Sequence, residues 1–428
     1  MHERGPAVPA ACETRRVLML CYYFPPLQTS AIARHVGFAR HLPDAGWSPR
    51  VLTVTRSHDV WGVAGTAAPV PAGIAIERAP EWPLNEAVDF ADGALNRVRG
   101  WLGRDDTRTD CRDLFCIPDP QIAWRARSAA TRLARASDAI YAGCSPFSAA
   151  LVGLAASRRS GRPLVVDFRD AWTMNPHRRA RAGWHERAIR RLERRVIAGS
   201  ARVILNTEGA RQLYRAAYPE FADRFDWVPN GFDGLNLPAP SERGNGDTFT
   251  VMHVGTLYGN RDPRLLLEAM ADLQLPGARF VQVGQTHPTL EAFADRVPIE
   301  TLGQVTPEQA LAHMRRADLL YLKQGWEPGT RDYVAVAAKT YEYLVTGVPV
   351  LAECPPGDNA DLVARHARHA HVVDSPDGAR VRAALRAAWD NRRAVEPAID
   401  RDFVATFDRR ALARRLGGIL DAVAGGRT

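Results

Sequence analysis

Two spacings of apolar residues alternate along this chain. Short unbroken apolar runs lie at Arg16–Tyr23, Arg50–Thr55, Asp138–Gly143, Pro163–Asp167, Ala201–Asn206, Thr248–Val254, Ala278–Val283, Asp318–Leu322 and Val348–Ala352. Their length and β-branched content predict buried parallel strands. Between them, apolar residues recur every three to four positions. That spacing predicts helices over Ala31–Leu42, Gln121–Ala136, Ser145–Arg158, 178–198, Arg264–Leu273, Pro307–Ala317, Ala337–Leu344, Asp377–Trp389 and Arg409–Val423. Strand and helix in strict alternation predict α/β domains with parallel sheets. Residues 56–115, with several prolines and a charge-rich stretch from Arg104 to Arg112, read as loops and short helices.

At 428 residues the chain exceeds the size of one core, which stops growing at about 250–300 residues. Leu235–Asp247, rich in Pro, Gly and Asn, is the clearest linker. We therefore expect a tail (1–14), an N-terminal domain (15–234), a linker (235–247), a C-terminal domain (248–398) and a closing helical segment (399–428).

The formal charge is +8, and all but two of the 56 basic residues are arginines; the lysines are Lys323 and Lys339. A basic balance suits an anionic substrate, an anionic membrane or nucleic acid. No zinc-finger spacing or RNA-binding signature favours nucleic acid. The six cysteines form no CxxC pair and no metal spacing, which predicts buried reduced thiols and a cytoplasmic setting. The first residues lack the apolar core of a signal peptide, and no run is long enough to span a bilayer.

Residues 336–363 carry the most informative chemistry. Lys339 and Glu342 are three apart, so on a helix they share a face. The pair is either an exposed ion pair or a cation and a carboxylate offered to a ligand. The turn Pro355-Pro356-Gly357-Asp358 leads into a helix that Asp358 or Asn359 caps, and such a turn suits an anion. The helix at 178–198 carries eight arginines and an apolar stripe of Trp184, Ile189, Leu192 and Val196. It is either a packed helix with solvated arginines or a patch for anionic lipid. His366, His369 and His371 form either a basic helix end or a metal cluster. Pro118-Asp119-Pro120 reads as a helix-start turn.

Five stretches in order resemble one family: YYFPP with the Gly46-Trp47 turn, DFRDAW, VPNGFD, HVGTLYGNRDP, and KTYEYLVTGVPVLAECPPGD. The chain resembles the GT-B glycosyltransferases of the family 4 type, retaining enzymes that use nucleotide sugars. The resemblance implies two Rossmann-like domains facing across a cleft, with the last helix crossing back to the N-terminal domain. It implies a donor site of Gly255, Thr256, Arg261, Lys323, Lys339, Tyr341, Glu342, Gly357, Asp358 and Asn359. Arg261, Lys339 and Glu342 would carry the chemistry, with Glu342 on the ribose and Arg261 on the diphosphate. Thr29, Ser30, His35, Asp167, Arg169 and Asp170 would line the acceptor side. No bound metal and no cofactor would be needed, the nucleotide sugar being a co-substrate, and no protein nucleophile is nominated. The acceptor would be a sugar or lipid-linked saccharide of an envelope polysaccharide, or a soluble metabolite, with peripheral contact to an anionic membrane. The alternative is a non-catalytic or pseudo-glycosyltransferase that binds nucleotide or glycan. Three positions depart from the family pattern: Val334 replaces the first of two glutamates, with Glu327 the nearest upstream carboxylate. Gln28-Thr29-Ser30 replaces a glycine pair, and Ala150 replaces a histidine.

Overall fold

The structure is a computed structural model that describes residues 14–27, 32–55, 72–82, 116–175, 183–234, 248–326 and 333–425, with isolated positions between 83 and 115. The first sheet contains β1 (Arg15–Cys21), β2 (Trp47–Val54), β3 (Ala75–Ala79), β4 (Ala139–Cys144), β5 (Leu164–Phe168), β6 (Arg202–Leu205) and β7 (Phe225–Trp227). Its order is β3-β2-β1-β4-β5-β6-β7. The second contains β8 (Phe249–Val254), β9 (Ala278–Val283), β10 (Ile299–Gly303), β11 (Leu319–Lys323), β12 (Val350–Glu353) and β13 (Ala370–Val373). Its order is β10-β9-β8-β11-β12-β13, and all its pairs are parallel. Counted from its own first strand, the second sheet runs 3-2-1-4-5-6, the doubly wound order of Rossmann folds, and the first sheet runs the same way with a seventh strand added.

The helices are α1 (Ile32–His41), α2 (Arg127–Arg135), α3 (Ser148–Ser160), α4 (Gly183–Gly199), α5 (Glu208–Ala217), α6 (Arg264–Leu273), α7 (Pro288–Phe293), α8 (Pro307–Arg316), α9 (Ala338–Thr346), α10 (Asp358–His366), α11 (Gly378–Asp390), α12 (Arg401–Phe407) and α13 (Arg409–Ala424).

Side chains alternate faces along each strand. In the second sheet Phe249, Val251, Phe280, Leu319 and Tyr321 face α6 and α11, where Leu266, Leu267, Val381 and Leu385 meet them. Met252, Val254, Val281, Leu320 and Leu322 face the other way, onto Met314 of α8, Tyr343 of α9 and Val363 of α10. The strands read as continuous apolar runs because both faces are covered.

Two compact units group the residues: one up to Asp167 with Ala198–Arg202 and Ala413 onward, the other Phe168–Ile197 with Val203–Leu412. In the first unit Asp421 of α13 accepts hydrogen bonds from Arg15 Nη1 (2.9 Å) and Trp47 Nε1 (3.0 Å). In the second, α12 packs on α9 through Phe403, Phe407 and Tyr341.

Several elements were not expected. β3 lies in the stretch read as loops. β7, β10, β13, α5, α7 and α12 carry patterns too short or too polar to stand out. Trp184 departs from the stripe assigned to it and is 49% exposed, while His185 and Glu193 fill the buried face of α4. Glu193 is tolerated there because it accepts hydrogen bonds from the hydroxyls of Thr173, Tyr214 (2.6 Å) and Tyr218 (2.8 Å).

Candidate functional site

In doubly wound sheets, ligands bind beyond the carboxyl ends of the strands where the order reverses. In the second sheet that point lies between β8 and β11. β8 ends in His253-Val254, with Gly255 just beyond, and His253 is not among the residues nominated from sequence. The imidazole is fully buried, with Nδ1 3.0 Å from the Tyr321 carbonyl oxygen and Nε2 2.9 Å from Lys339 Nζ. A carbonyl only accepts, so Nδ1 carries the proton and Nε2 accepts from the lysine. Burial, then the adjacent Lys339, holds the His253 pKa well below the usual histidine range, so the ring is neutral.

Lys339 lies in the first turn of α9, a helix ended by Gly347 in the left-handed conformation. Its ammonium crosses directly over Gly255. A Cβ at position 255, where φ is +113°, would sit 2.9 Å from Nζ, so only glycine leaves the amine this place. Burial first, and the charge of Arg261 second, lower the Lys339 pKa to about 7, with Glu342 working in the opposite direction.

The Arg261 guanidinium lies over the Tyr258 ring, 4.5 Å from its centroid. Among the described residues no carboxylate pairs with it. Thr256 lies in the same loop, partly exposed. Glu342 is one helical turn from Lys339 and open to solvent, yet crowded by protein. That crowding raises its pKa, while Arg409 and Lys339 oppose the rise. Arg409 in turn donates to Asp233. His253, Arg409 and Asp233 thus join the three residues that the sequence nominated.

Other nominated residues are placed elsewhere. Lys323 is buried in an ion pair with Glu353, which also accepts from the Tyr321 hydroxyl (2.5 Å). Its charge serves the interior of the sheet. Tyr341 is 1% exposed and packs on Phe403 and Phe407. Asn359 is buried in a chain in which the Thr340 hydroxyl donates to Oδ1 (2.7 Å) and Nδ2 donates to Gln324 Oε1 (2.8 Å). Gly357 has φ +136°, and a Cβ there would meet the Tyr333 carbonyl oxygen at 2.5 Å. The Asp358 N–H donates to that same oxygen (3.1 Å) and is not offered to an anion. The Asp358 carboxylate lies against Gly209, where burial raises its pKa.

The nominated acceptor residues do not form one group. Asp167 is fully buried, accepts from Arg34 Nε (2.7 Å) and Nη2 (3.0 Å), and takes the Tyr141 hydroxyl as well. His35 is 1% exposed and packs against the Tyr141 ring and Gly143. Arg169 and Asp170 are partly exposed and pair with each other at 2.7 Å. Thr29, Ser30 and Glu327 lie outside the described residues. Asp119 does not start the helix expected from Gln121: a 3-10 turn (Pro120–Ala123) follows it, that helix begins only at Arg127, and the Asp119 carboxylate instead accepts from the Ser148 N–H at the start of α3 (3.0 Å), where burial raises its pKa to about 6. His366 is committed to Asp400 at 2.6 Å. Among the described residues no cluster of three or more His, Cys, Asp or Glu side chains could hold a metal. Cys21, Cys116, Cys144 and Cys354 are buried.

Residues 31–231 match the glycosyl transferase 4-like domain. Among curated proteins none matches the sequence. Among solved structures, HepE of Anabaena, crystallised with UDP and glucose, is 16% identical with a TM-score of 0.56, covering 95% of this chain and 99% of that one. A glycosyltransferase of Rickettsia africae has 10% identity and a TM-score of 0.62, covering 97% of this chain and 100% of that one. Sucrose-phosphate synthase of Thermosynechococcus elongatus has 13% identity and a TM-score of 0.59, covering 96% of this chain and 99% of that one. These likenesses establish the GT-B fold, two Rossmann-like domains each built on a parallel sheet.

Proposed function

We propose that the protein is a glycosyltransferase that moves a sugar from a nucleoside diphosphate sugar to a hydroxyl acceptor, with retention. One observation carries this reading: Arg261 and Lys339 hold two cations side by side at the switch point of the second sheet. The repulsion between them is part of what depresses the lysine pKa. Such an arrangement is relieved when an anion arrives between them. As the sugar leaves, charge builds on the diphosphate oxygens, and Arg261 and Lys339 stabilise it. Glu342, on the same face as Lys339, is the ribose ligand. The cations do the neutralising work of a metal, so transfer should survive chelation by EDTA.

The exposed side of α4, with Trp184, Arg187, Arg190, Arg191 and Arg195, suits anionic lipid headgroups. It favours a lipid-linked saccharide of an envelope polysaccharide as acceptor and a peripheral place at the cytoplasmic face. No helix among the described residues is long and apolar enough to cross a membrane.

A thermal-shift screen against UDP, GDP, dTDP and ADP identifies the base. A ligand at about 100 times its dissociation constant adds about 2.7 kcal/mol. Transfer from the matching sugar, with the product anomer read by NMR, then tests the reaction. Loss of transfer in Glu342→Gln and Arg261→Ala is expected. Nucleotide binding without transfer to any acceptor would favour the non-catalytic reading. That reading has its own support in Val334, an apolar residue 9% exposed where relatives of this type carry a carboxylate.

A further inference from the structure

A cavity of about 360 Å³ opens at the strand ends of the second sheet that lie opposite the Lys339 group. Asp318, Pro349 and His369 each stand just before the first residue of β11, β12 and β13, and all three line it. In a parallel sheet these starts share one edge. The Lys339 group lies at the opposite edge, about 15 Å away for strands of five residues at ~3.3 Å each.

The polar lining is strongly one-sided. Arg368, His369, His371, Arg392 and Asn391 contribute donors, against the single acid Asp318. The Asp318 carboxylate is already engaged: Oδ2 accepts from the Thr250 N–H at 2.8 Å and secures the start of β8. Arg392 is held in place, 3.8 Å from the centroid of the Trp389 ring, with Nη1 donating to the Trp389 carbonyl at 2.8 Å. Among the described residues no carboxylate pairs with Arg368. His371 is partly buried, and burial and its neighbour His369 both lower its pKa, so the ring stays neutral until a negative group is near.

We propose that this cavity binds a small organic phosphate, with the phosphate between Arg368, Arg392 and the two imidazoles. Guanidinium forks match phosphate oxygens, and two of them with two imidazole N–H groups saturate such an anion. The volume sets the rest of the ligand. It exceeds what inorganic phosphate fills and falls at the small end of the ~300–1,000 Å³ range of metabolite pockets. A sugar-sized body is therefore bound along with the anion. The site shares no residue with the Lys339 group, so the proposal stands whether or not the protein transfers sugars.

Isothermal titration with glucose 6-phosphate, glycerol 3-phosphate and inorganic phosphate tests it on the full chain. Glucose 6-phosphate should bind more tightly than inorganic phosphate. Arg368→Gln should weaken that binding by about tenfold or more, the worth of one charge-assisted pair. His369→Gln, in the same lining, is the second variant, and circular dichroism confirms that each is folded. Arg261→Ala should leave the titration unchanged. Absence of glucose 6-phosphate binding, equal affinity for inorganic phosphate, or loss of binding in Arg261→Ala but not in Arg368→Gln would overturn the assignment.

Discussion

Replacing Lys339 with methionine should make the protein more stable while removing its response to nucleoside diphosphates. The lysine is held in place at a cost, because its pKa falls from 10.5 to about 7. At about 1.36 kcal/mol per pH unit that gap corresponds to roughly 5 kcal/mol. Partial access to solvent reduces it to about half, since water screens an amine that is not sealed in. Methionine also gives up the hydrogen bond to His253, about 1 kcal/mol. The net expectation is a gain of about 1–2 kcal/mol, or several degrees in Tm for a unit of this size. The pH dependence separates this from a generic packing effect. Below pH 7 the amine is protonated in both the folded and unfolded chain, and the folded state carries the whole burden. Between about 7 and 10.5 the unfolded lysine keeps a proton that the folded one has released, so wild-type stability rises with pH and the advantage of the variant closes. Urea melts of Lys339→Met and wild type at pH 6.5 and pH 9.5, with and without UDP, read both effects. A variant less stable than wild type at pH 6.5, or an advantage unchanged at pH 9.5, would refute the reasoning.

Other outcomes follow from neighbouring features. Asp167→Asn removes the negative charge that faces the buried Arg34 guanidinium, and should cost about 3–5 kcal/mol in a denaturant melt. Gly357→Ala drives a Cβ into the Tyr333 carbonyl at a φ that side chains avoid, and should destabilise by at least about 1–2 kcal/mol. Asp119 has a folded pKa of about 6 against 3.8 in free chain, so its ionisation opposes folding above pH 6 and not below pH 4. Asp119→Asn keeps an acceptor for the Ser148 N–H, and should raise Tm at pH 7 while leaving it unchanged at pH 4.

The inner strands of both sheets were legible because burial on two faces writes an unbroken apolar run. The edge strands β10 and β13 were not, since Ile299–Gly303 is largely exposed and Ala370–Val373 only partly covered. At the site, helical spacing placed Lys339 and Glu342 on one face but left an ion pair as open as a ligand site, and Arg261 was nominated only by the family resemblance. His253 did not, because a histidine inside a strand gives no sign of facing a lysine 86 positions later. Asp167 was misplaced for the converse reason. A carboxylate at a strand end looks the same whether it meets water or a partner, and the partner, Arg34, lies 133 residues upstream. Lys323 and Asn359 look like ligand-binding side chains until Glu353 and Gln324 are seen to occupy them.

The hold of Asp421 on Arg15 and Trp47 bears on how the chain is made. Trp47 is fully buried, and a Cβ on Gly417 of the same closing helix would touch Ala45. A ribosome reaches α13 only after it has produced the whole second sheet. Until then the first unit waits with an apolar flank uncovered, so a stalled or shortened nascent chain offers that flank to chaperones and to aggregation.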